Sequence, residues 1–283
     1  MVGMTELDRE LSDLRDIACF VAESASSLVR QRRRMIKDWS AVTDTKSSGV
    51  DPVTAVDRES ELHIRRLLRA LRPNDVVLGE EEGGTTAAAD QVQWVVDPID
   101  GTVNFMYDFP SYAVSIAAVR DGEMLVGAVA DVPHRKLYSA ARGAGATVLH
   151  ADGTSVPLSV NKPENLGKSL LATGFGYSAV RRAAQGQFIA AMLPQVRDIR
   201  RAGSAALDLC MLAAGNIDAY VEHGLQPWDW AAGLLIAQEA GARTTTPSIS
   251  EALPGPIIAA PSTLFDELVG AVTAAGGQGQ LPE

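Results

Sequence analysis

Apolar residues at Leu7, Leu11, Leu14, Ala18, Val21, Ala25 and Leu28 recur at alternating spacings near three and four, so residues 5–35 are expected to form a long amphipathic helix. Its basic end, "RQRRRMIK", suits the negative pole of the helix dipole. Residues 38–53, "DWSAVTDTKSSGVDPV", carry no apolar period and are rich in Ser, Asp, Thr and Gly, which predicts a mobile loop. Thr54 and Asp57 have the spacing of a capping box. Leu62, Leu67, Leu68 and Leu71 then mark a second helix that stops before Pro73.

From Val76 the period shortens to that of strands: "DVVLGEEE", "QWVVD", "YAVSIAAVRDGEMLVGAVADV" with an Asp121-Gly122 hairpin turn, "KLYSAA", and "ATVLHADGTSVPL" with Asp152-Gly153. Residues 1–160 therefore read as an α+β half with an antiparallel sheet. After about residue 160 the types alternate. Strands are expected at "LLATGF", "RDIRRA", "DAYVE", "ARTTT" and "IIAA", with helices at 179–193, 204–214, 229–240 and 262–275. Residues 161–283 thus read as a smaller α/β half with a mixed sheet, and the chain as a whole as α/β (α+β).

Composition narrows the field. Hydrophobic residues make up 46% and charged residues 21% of the 283, ordinary for a globule with a sizeable core. A net charge of −10 argues against a broad nucleic-acid footprint. Only Cys19 and Cys210 occur, each inside an apolar helical pattern, so two buried free thiols are expected and no disulfide framework. No apolar run reaches the roughly 18 residues needed to span a bilayer, and "MVGMTELDRELSDLRD" carries acids where a signal peptide needs a basic start. A cytoplasmic protein is the expectation.

The chemistry concentrates in "WVVDPIDGTVNF", residues 94–105, where two carboxylates end an apolar strand. A carboxylate leaving the core loses water, and it stays protonated unless a cation or several donors compensate. Pro98 keeps Asp97 extended, and Gly101-Thr102 can turn the chain into a helix start whose unpaired N–H groups suit a phosphate. Glu80-Glu81-Glu82 follows a neighbouring strand, and "PWDWAAG" puts Asp229 at a helix start. Taken singly, the former is a solvated loop and the latter an N-cap. Taken with Asp97 and Asp100 they make an oxygen-only donor set, which suits magnesium or manganese rather than zinc. Two unit charges 4 Å apart interact by about 4 kcal/mol at an effective dielectric of 20, so several carboxylates repel a phosphate dianion by multiples of this. Divalent cations reverse the sign.

"GEE", "WVVDPIDGTVNF" and "WDWAAGLLIAQEAGA" resemble the signature segments of the inositol monophosphatase family, in the same order and at similar spacing, from about Lys46 to Gly241. The resemblance implies a layered α-β-α-β-α sandwich and a Mg2+-dependent phosphatase using two or three ions, with Mn2+ a possible substitute. It implies Glu80, Asp97, the Ile99 carbonyl, Asp100 and Asp229 as metal ligands, with Asp97 bridging two ions. Thr102, oriented by Asp57, and Glu80 are implied to position and deprotonate the attacking water. Gly101 and Thr102 are implied to hold phosphate oxygens, and Asp100, Gly203, Ser204, Ala205 and Glu222 the sugar. The family's loop motif is matched at Lys46, Ser47, Ser48, Asp51, Val53, Thr54 and Asp57, with Lys46 expected to adjust the site. Lithium inhibition and a homodimer are carried over as family traits. Ser204 stands where some members have Thr, and Gln226-Pro227 precedes Trp228 where relatives vary.

Other motifs are weaker. Gly174, Gly176 and Ala179 give a GxGxxA match, but no second mononucleotide half accompanies it, so a glycine-softened strand-to-helix turn is the plainer reading. "GKS" at 167–169 lacks the upstream glycine of a P-loop, and no GxSxG occurs. His63, His134, His150 and His223 are scattered, and Trp228 and Trp230 read as packing residues. Three functions follow. The first is a phosphatase of myo-inositol 1-phosphate or a similar small-molecule monoester. The second is a relative preferring fructose 1,6-bisphosphate, histidinol phosphate, a 3′-phosphoadenosine nucleotide or NADP. The third is a regulatory binding protein on the same scaffold.

Overall fold

The computed structural model describes residues 5–36, 43–45, 52–85, 87–245, 249, 255–279 and 281. Helix α1 (Glu6–Met35) opens with a capping box in which Thr5 N–H donates to Asp8 and Asp8 N–H to the Thr5 hydroxyl. Its buried stripe runs from Leu11 through Leu14, Ala18, Val21 and Ala25 to Val29. Leu7, one turn before the sheet begins to cover the helix, is exposed instead. At the other end Arg32 pairs with Glu59 and Arg33 with Asp108.

Part of the segment expected to be a loop forms a ladder: β1 (Thr43–Thr45) pairs antiparallel with β2 (Pro52–Thr54). Helix α2 (Ala55–Leu71) starts at the expected Thr54–Asp57 capping box. Its buried face is Val56, Asp57, Ser60, Glu61, Ile64 and Leu68, whereas Leu62 and Leu71 are exposed. Leu68 is buried and Leu67 packs beside it, so the leucines mark the helix as expected, while the same inward face also holds polar residues.

A seven-stranded sheet follows: β3 (Val76–Gly79), β4 (Gln93–Asp100), then, after helix α3 (Thr102–Tyr107), β5 (Ala113–Arg120), β6 (Glu123–Asp131), β7 (Lys136–Ala141), β8 (Ala146–Leu149) and β9 (Ser155–Pro157), neighbours in that order. All pairs are antiparallel except β3 with β4, so the expected antiparallel sheet carries one parallel edge. Asp121 and Gly122 both have positive φ, +51° and +79°, as a tight β5–β6 hairpin turn requires.

The second sheet comprises β10 (Leu170–Ala172), β11 (Asp198–Arg200), β12 (Ala219–Glu222), β13 (Ala242–Thr244) and β14 (Ile257–Pro261), in the order β11-β10-β12-β14-β13. It is mixed: β10 runs parallel to β11 and β12, while β14 is antiparallel to β12 and β13. Helices α4 (Ala179–Met192), α5 (Ala205–Ala213), α6 (Pro227–Glu239) and α7 (Phe265–Ala274) complete the described elements.

Three apolar clusters define the layers. Leu14 and Val21 of α1 and Ile64 and Leu68 of α2 pack on Trp94, Val96 and Ile116 of the first sheet. Leu209 and Leu212 of α5 and Trp230 and Leu234 of α6 lie between Val95 and Val129 on one side and Tyr220 and Ile257 on the other. Phe188, Met192, Leu268 and Val272 cover the outer face of the second sheet on Leu171 and Val221. The result is the expected α-β-α-β-α sandwich. Strand β4 is buried along its whole length and covered on both faces, which is why its apolar stretch "WVV" shows no alternation.

Candidate active site

Strand β4 continues through both acids rather than ending before them. Alternation puts Trp94 and Val96 towards α1 and α2, and Val95 towards α5 and α6, so Asp97 shares the face of Val95. Asp100, three positions on, belongs on the opposite face of a regular strand. The β4–β5 register shifts between Asp97 and Asp100, and this irregularity lets both acids reach one cleft.

That cleft, about 640 Å³, lies between the two sheets' site-bearing ends and is lined by Glu80, Asp97, Ile99, Asp100, Gly101 and Thr102 from the first half of the chain. Gly203, Ala205, Glu222 and Asp229 line it from the second. Asp97 Oδ1 accepts the Ile99 N–H at 2.9 Å. Asp100 Oδ2 accepts Ser204 Oγ at 2.6 Å and the Ala206 N–H at 2.8 Å. Gly101 has φ +91°, and a Cβ there would lie 2.9 Å from the Ser111 carbonyl and 3.1 Å from that of Gly203, so only glycine fits. Asn104 Nδ2 then ties the turn to the carbonyls of Ser111 (2.7 Å) and Ala202 (2.8 Å).

Thr102 Oγ1 is shared between Asp57 Oδ1 at 3.0 Å and the Ile99 carbonyl at 3.1 Å. Asp57 does not line the cleft. It is fully buried, and its other oxygen accepts both the backbone N–H (2.8 Å) and the hydroxyl of Thr54. Asp229 is the third residue of α6, not its N-cap: Gln226 holds that place, and its N–H donates to Asp229 Oδ2 at 2.7 Å. Ser204 is buried and caps α5, so its hydroxyl reaches the cleft only through Asp100. Lys46, with Ser47, Ser48 and Asp51, lies outside the described residues.

The inositol monophosphatase family model matches residues 10–280. The chain belongs to that family. Among curated relatives, the inositol-1-monophosphatase SuhB of Mycobacterium tuberculosis is 48% identical over 99% of this chain and 100% of its own. The Nus factor SuhB of Vibrio cholerae is 39% identical over 75% of this chain and 78% of its own. Among solved structures, Mycobacterium tuberculosis SuhB superposes with a TM-score of 0.81 at 45% identity, covering 94% of this chain and 98% of that one.

Five acids line the cleft among the described residues, and their protonation follows from recession into protein. Burial pushes the Asp57 carboxyl up to about 6 against the pull of its Thr54 hydrogen bonds, with Glu80 adding repulsion. Burial likewise raises Asp100 to about 6, opposed by Ser204. Glu222 rises to about 7 by burial, opposed by the Tyr220 hydroxyl 2.8 Å from Oε2. Asp229, recessed but open to the cleft, is raised well above the carboxylate range by desolvation and then by Glu80 and Asp100.

Each of these acids gains by facing a cation, and the all-oxygen donor set suits a hard divalent ion. Among the described residues no three acidic, histidine or cysteine side chains are already gathered as a metal cage. The donor chemistry fits; closing the carboxylates around an ion takes side-chain rotation, as mutual repulsion leads one to expect.

Sequence reasoning missed the cleft's far wall: Phe175, Tyr177, Arg181 and Arg201 also line it. The Arg201 guanidinium lies 5.9 Å over the Phe175 ring. The signal was in "TGFGYSA". A Cβ at Gly174 would sit 2.0 Å from Glu222 Oε1, so that glycine marks a close approach to the site rather than a softened turn alone. Trp230 is core and half-buried Trp228 packs against the same core, both as expected, though Trp228 also lines the cleft. Asp208 of α5 was also unremarked; it is buried, and neither carboxyl oxygen has a hydrogen-bond partner among the described residues. His223 is buried and satisfied by the Gly277 carbonyl at 2.6 Å. Both cysteines are free, Cys210 buried and Cys19 half-buried.

Proposed function

We propose that this chain is a Mg2+-dependent phosphomonoesterase that hydrolyses myo-inositol 1-phosphate to inositol and phosphate. The observation that carries the reading is the convergence of Glu80, Asp97, Asp100 and Asp229 with Gly101 and Thr102 on one cleft. Glu80, Asp97, the Ile99 carbonyl, Asp100 and Asp229 would hold two or three ions, Asp97 shared between two, and Mn2+ can substitute. When bound, such ions neutralise the ester, acidify the attacking water and stabilise the departing alkoxide.

The chain's own atoms do the rest. Because Thr102 Oγ1 directs its proton towards Asp57 Oδ1 or the Ile99 carbonyl, its lone pairs accept a hydrogen bond from the attacking water. As that water attacks in line, its proton passes to Thr102 Oγ1 and on to Asp57 Oδ1, while Glu80 orients the water. An Asp57 carboxyl at about 6 is a competent acceptor at neutral pH. Gly101 and Thr102 N–H groups hold phosphate oxygens. On the polyol side Asp100, Gly203, Ala205 and Glu222 contact hydroxyls, with Ser204 acting through Asp100. Glu222, whose carboxyl burial raises to about 7, stands there beside the Tyr220 hydroxyl. In this reading residues 1–160 supply every metal ligand but Asp229, and residues 161–283 supply Asp229 and the polyol wall.

A homodimer, a cytoplasmic location and lithium inhibition belong to the same proposal; among the described residues no helix is long and apolar enough to cross a membrane. The test is phosphate release from inositol 1-phosphate with Mg2+, with chelator, and in Asp97→Asn. Turnover insensitive to both perturbations sinks the reading. A panel of fructose 1,6-bisphosphate, histidinol phosphate, a 3′-phosphoadenosine nucleotide and NADP at equal Mg2+ ranks the alternatives. The Vibrio cholerae relative's name favours a second, regulatory role. Asp97→Asn that loses turnover yet keeps a regulatory effect supports it; loss of both together argues against it.

A further inference from the structure

Glu61 lies one helical turn beyond Asp57 on α2, fully buried and outside the cleft lining. Its Oε2 accepts the Glu81 N–H at 2.7 Å, and its Oε1 accepts the Glu82 N–H at 3.0 Å and Arg65 Nε at 2.8 Å. Arg65 also donates to the carbonyls of Val77 and Gly83. The loop between those carbonyls closes on itself through the Gly79 N–H to the Gly83 carbonyl, 2.9 Å. The turn that carries Glu80 is therefore gripped from behind at both flanks by one carboxylate and one guanidinium.

The neighbouring backbone is shaped to admit this grip. Gly79 is not in the left-handed region, yet a Cβ there would fall 2.4 Å from Glu61 Oε1. Glycine is demanded by the carboxylate, not by the chain path. A wholly buried acid is costly to keep where an apolar side chain of similar volume would pack as well, so a purely structural role explains it poorly. On the same helix face Ser60 Oγ reaches the Pro98 carbonyl at 3.3 Å, and Asp57 holds Thr102. Asp57, Ser60 and Glu61 thus fasten both acidic segments of the first half, 97–102 and the Glu80 turn, to one helix.

We propose that Glu61, locked by Arg65, is a positioning residue that aims the Glu80 carboxylate into the metal-binding cleft, an inference that rests on the reading of Glu80 as a metal ligand. Outer partners of metal ligands typically tune metal affinity or activity by roughly 10–100-fold. The experiment titrates metal-free protein with Mn2+, following unbound Mn2+ by electron paramagnetic resonance. It compares wild type, Glu61→Gln, Glu61→Ala, Arg65→Met, Gly79→Ala and the Glu61→Ala/Gly79→Ala pair, with near-UV circular dichroism and thermal unfolding alongside.

Glu61→Gln keeps the volume but turns an amide towards groups that donate. It is expected to bind Mn2+ roughly 10–100-fold more weakly with native near-UV spectra, and to lower kcat more than it raises KM. Arg65→Met should follow it in part. Gly79→Ala should weaken binding while Glu61 is present and do less once Glu61 is alanine, because the clash has gone. Wild-type Mn2+ affinity in folded Glu61→Gln and Arg65→Met overturns the proposal. If Glu61→Gln does not fold, Arg65→Met and Gly79→Ala decide the matter in the same way. A wild type that binds no Mn2+ at all is a different failure, since it removes the metal reading itself.

Discussion

A carboxyl group set back from solvent and turned towards others of its kind can be kept neutral by protons or by a metal, and the three cleft aspartates differ in which local donors they retain. Asp97 has an internal N–H, Asp100 a hydroxyl and an N–H, and Asp229 a capping N–H. If Asp97 holds two ions as proposed, Asp97→Asn should cut kcat for inositol 1-phosphate by several orders of magnitude, read by phosphate release, because it would disturb both ions rather than one contact. Thr102→Val keeps the shape but removes the hydroxyl between water and Asp57. Steady-state kinetics should show kcat lower by about 10²-fold or more with KM little changed. A kcat within a factor of two of wild type would remove Thr102 from the proton path. These residue types were legible in the chain because "DPID" and "GTV" carry their chemistry locally. Arg201 and Phe175 were not, since nothing beside them in sequence announces a cleft.

Among elements, the turn between β4 and α3 matters most, because it aims the acids and the Thr102 hydroxyl together. Gly101→Ala places a Cβ against the Ser111 and Gly203 carbonyls at φ +91°. It should cost about 1–3 kcal/mol in urea unfolding and depress activity with it. Helix α1 is a plainer support. Leu14, wholly buried against the first sheet, should cost about 2–5 kcal/mol on truncation to alanine, with kcat of the folded fraction unchanged. Most elements follow from period, caps and turns: α1, the Thr54–Asp57 cap and the Asp121-Gly122 hairpin depend on residues a few positions apart. Exceptions arise where partners are distant. The parallel β3–β4 edge, the β1–β2 ladder and the inward polar residues of α2 are set by what packs against them, so the leucine spacing that marked α2 did not show that Asp57, Ser60 and Glu61 turn inward.

Over the whole molecule the acids act together through stability. Asp57 and Asp100 at about 6 and Glu222 at about 7, with Asp208 and Asp229 also raised well above the carboxylate range by burial, bind protons more tightly in the folded chain than in the unfolded one. Their contribution is therefore full below the ordinary carboxylate range and is lost as pH climbs through 6 and 7. In chelator, the thermal midpoint should fall between about pH 5 and pH 8, and Mg2+ should flatten that fall by taking the protons' place, as calorimetry can check. A chelated midpoint that rises across this window contradicts the assignment of raised carboxyls. By itself the chain determined its mixed α/β (α+β) class, its helices and most strands, and the acidic segments of the site, because periodicity, capping and residue chemistry are properties of short stretches. Only tertiary structure decided that a register shift in β4 turns Asp97 and Asp100 to one side, that α6 brings Asp229 opposite them, and that Glu61 stands behind Glu80. Those facts join positions up to well over a hundred residues apart, and contact across that distance is set by how the layers stack rather than by any local pattern.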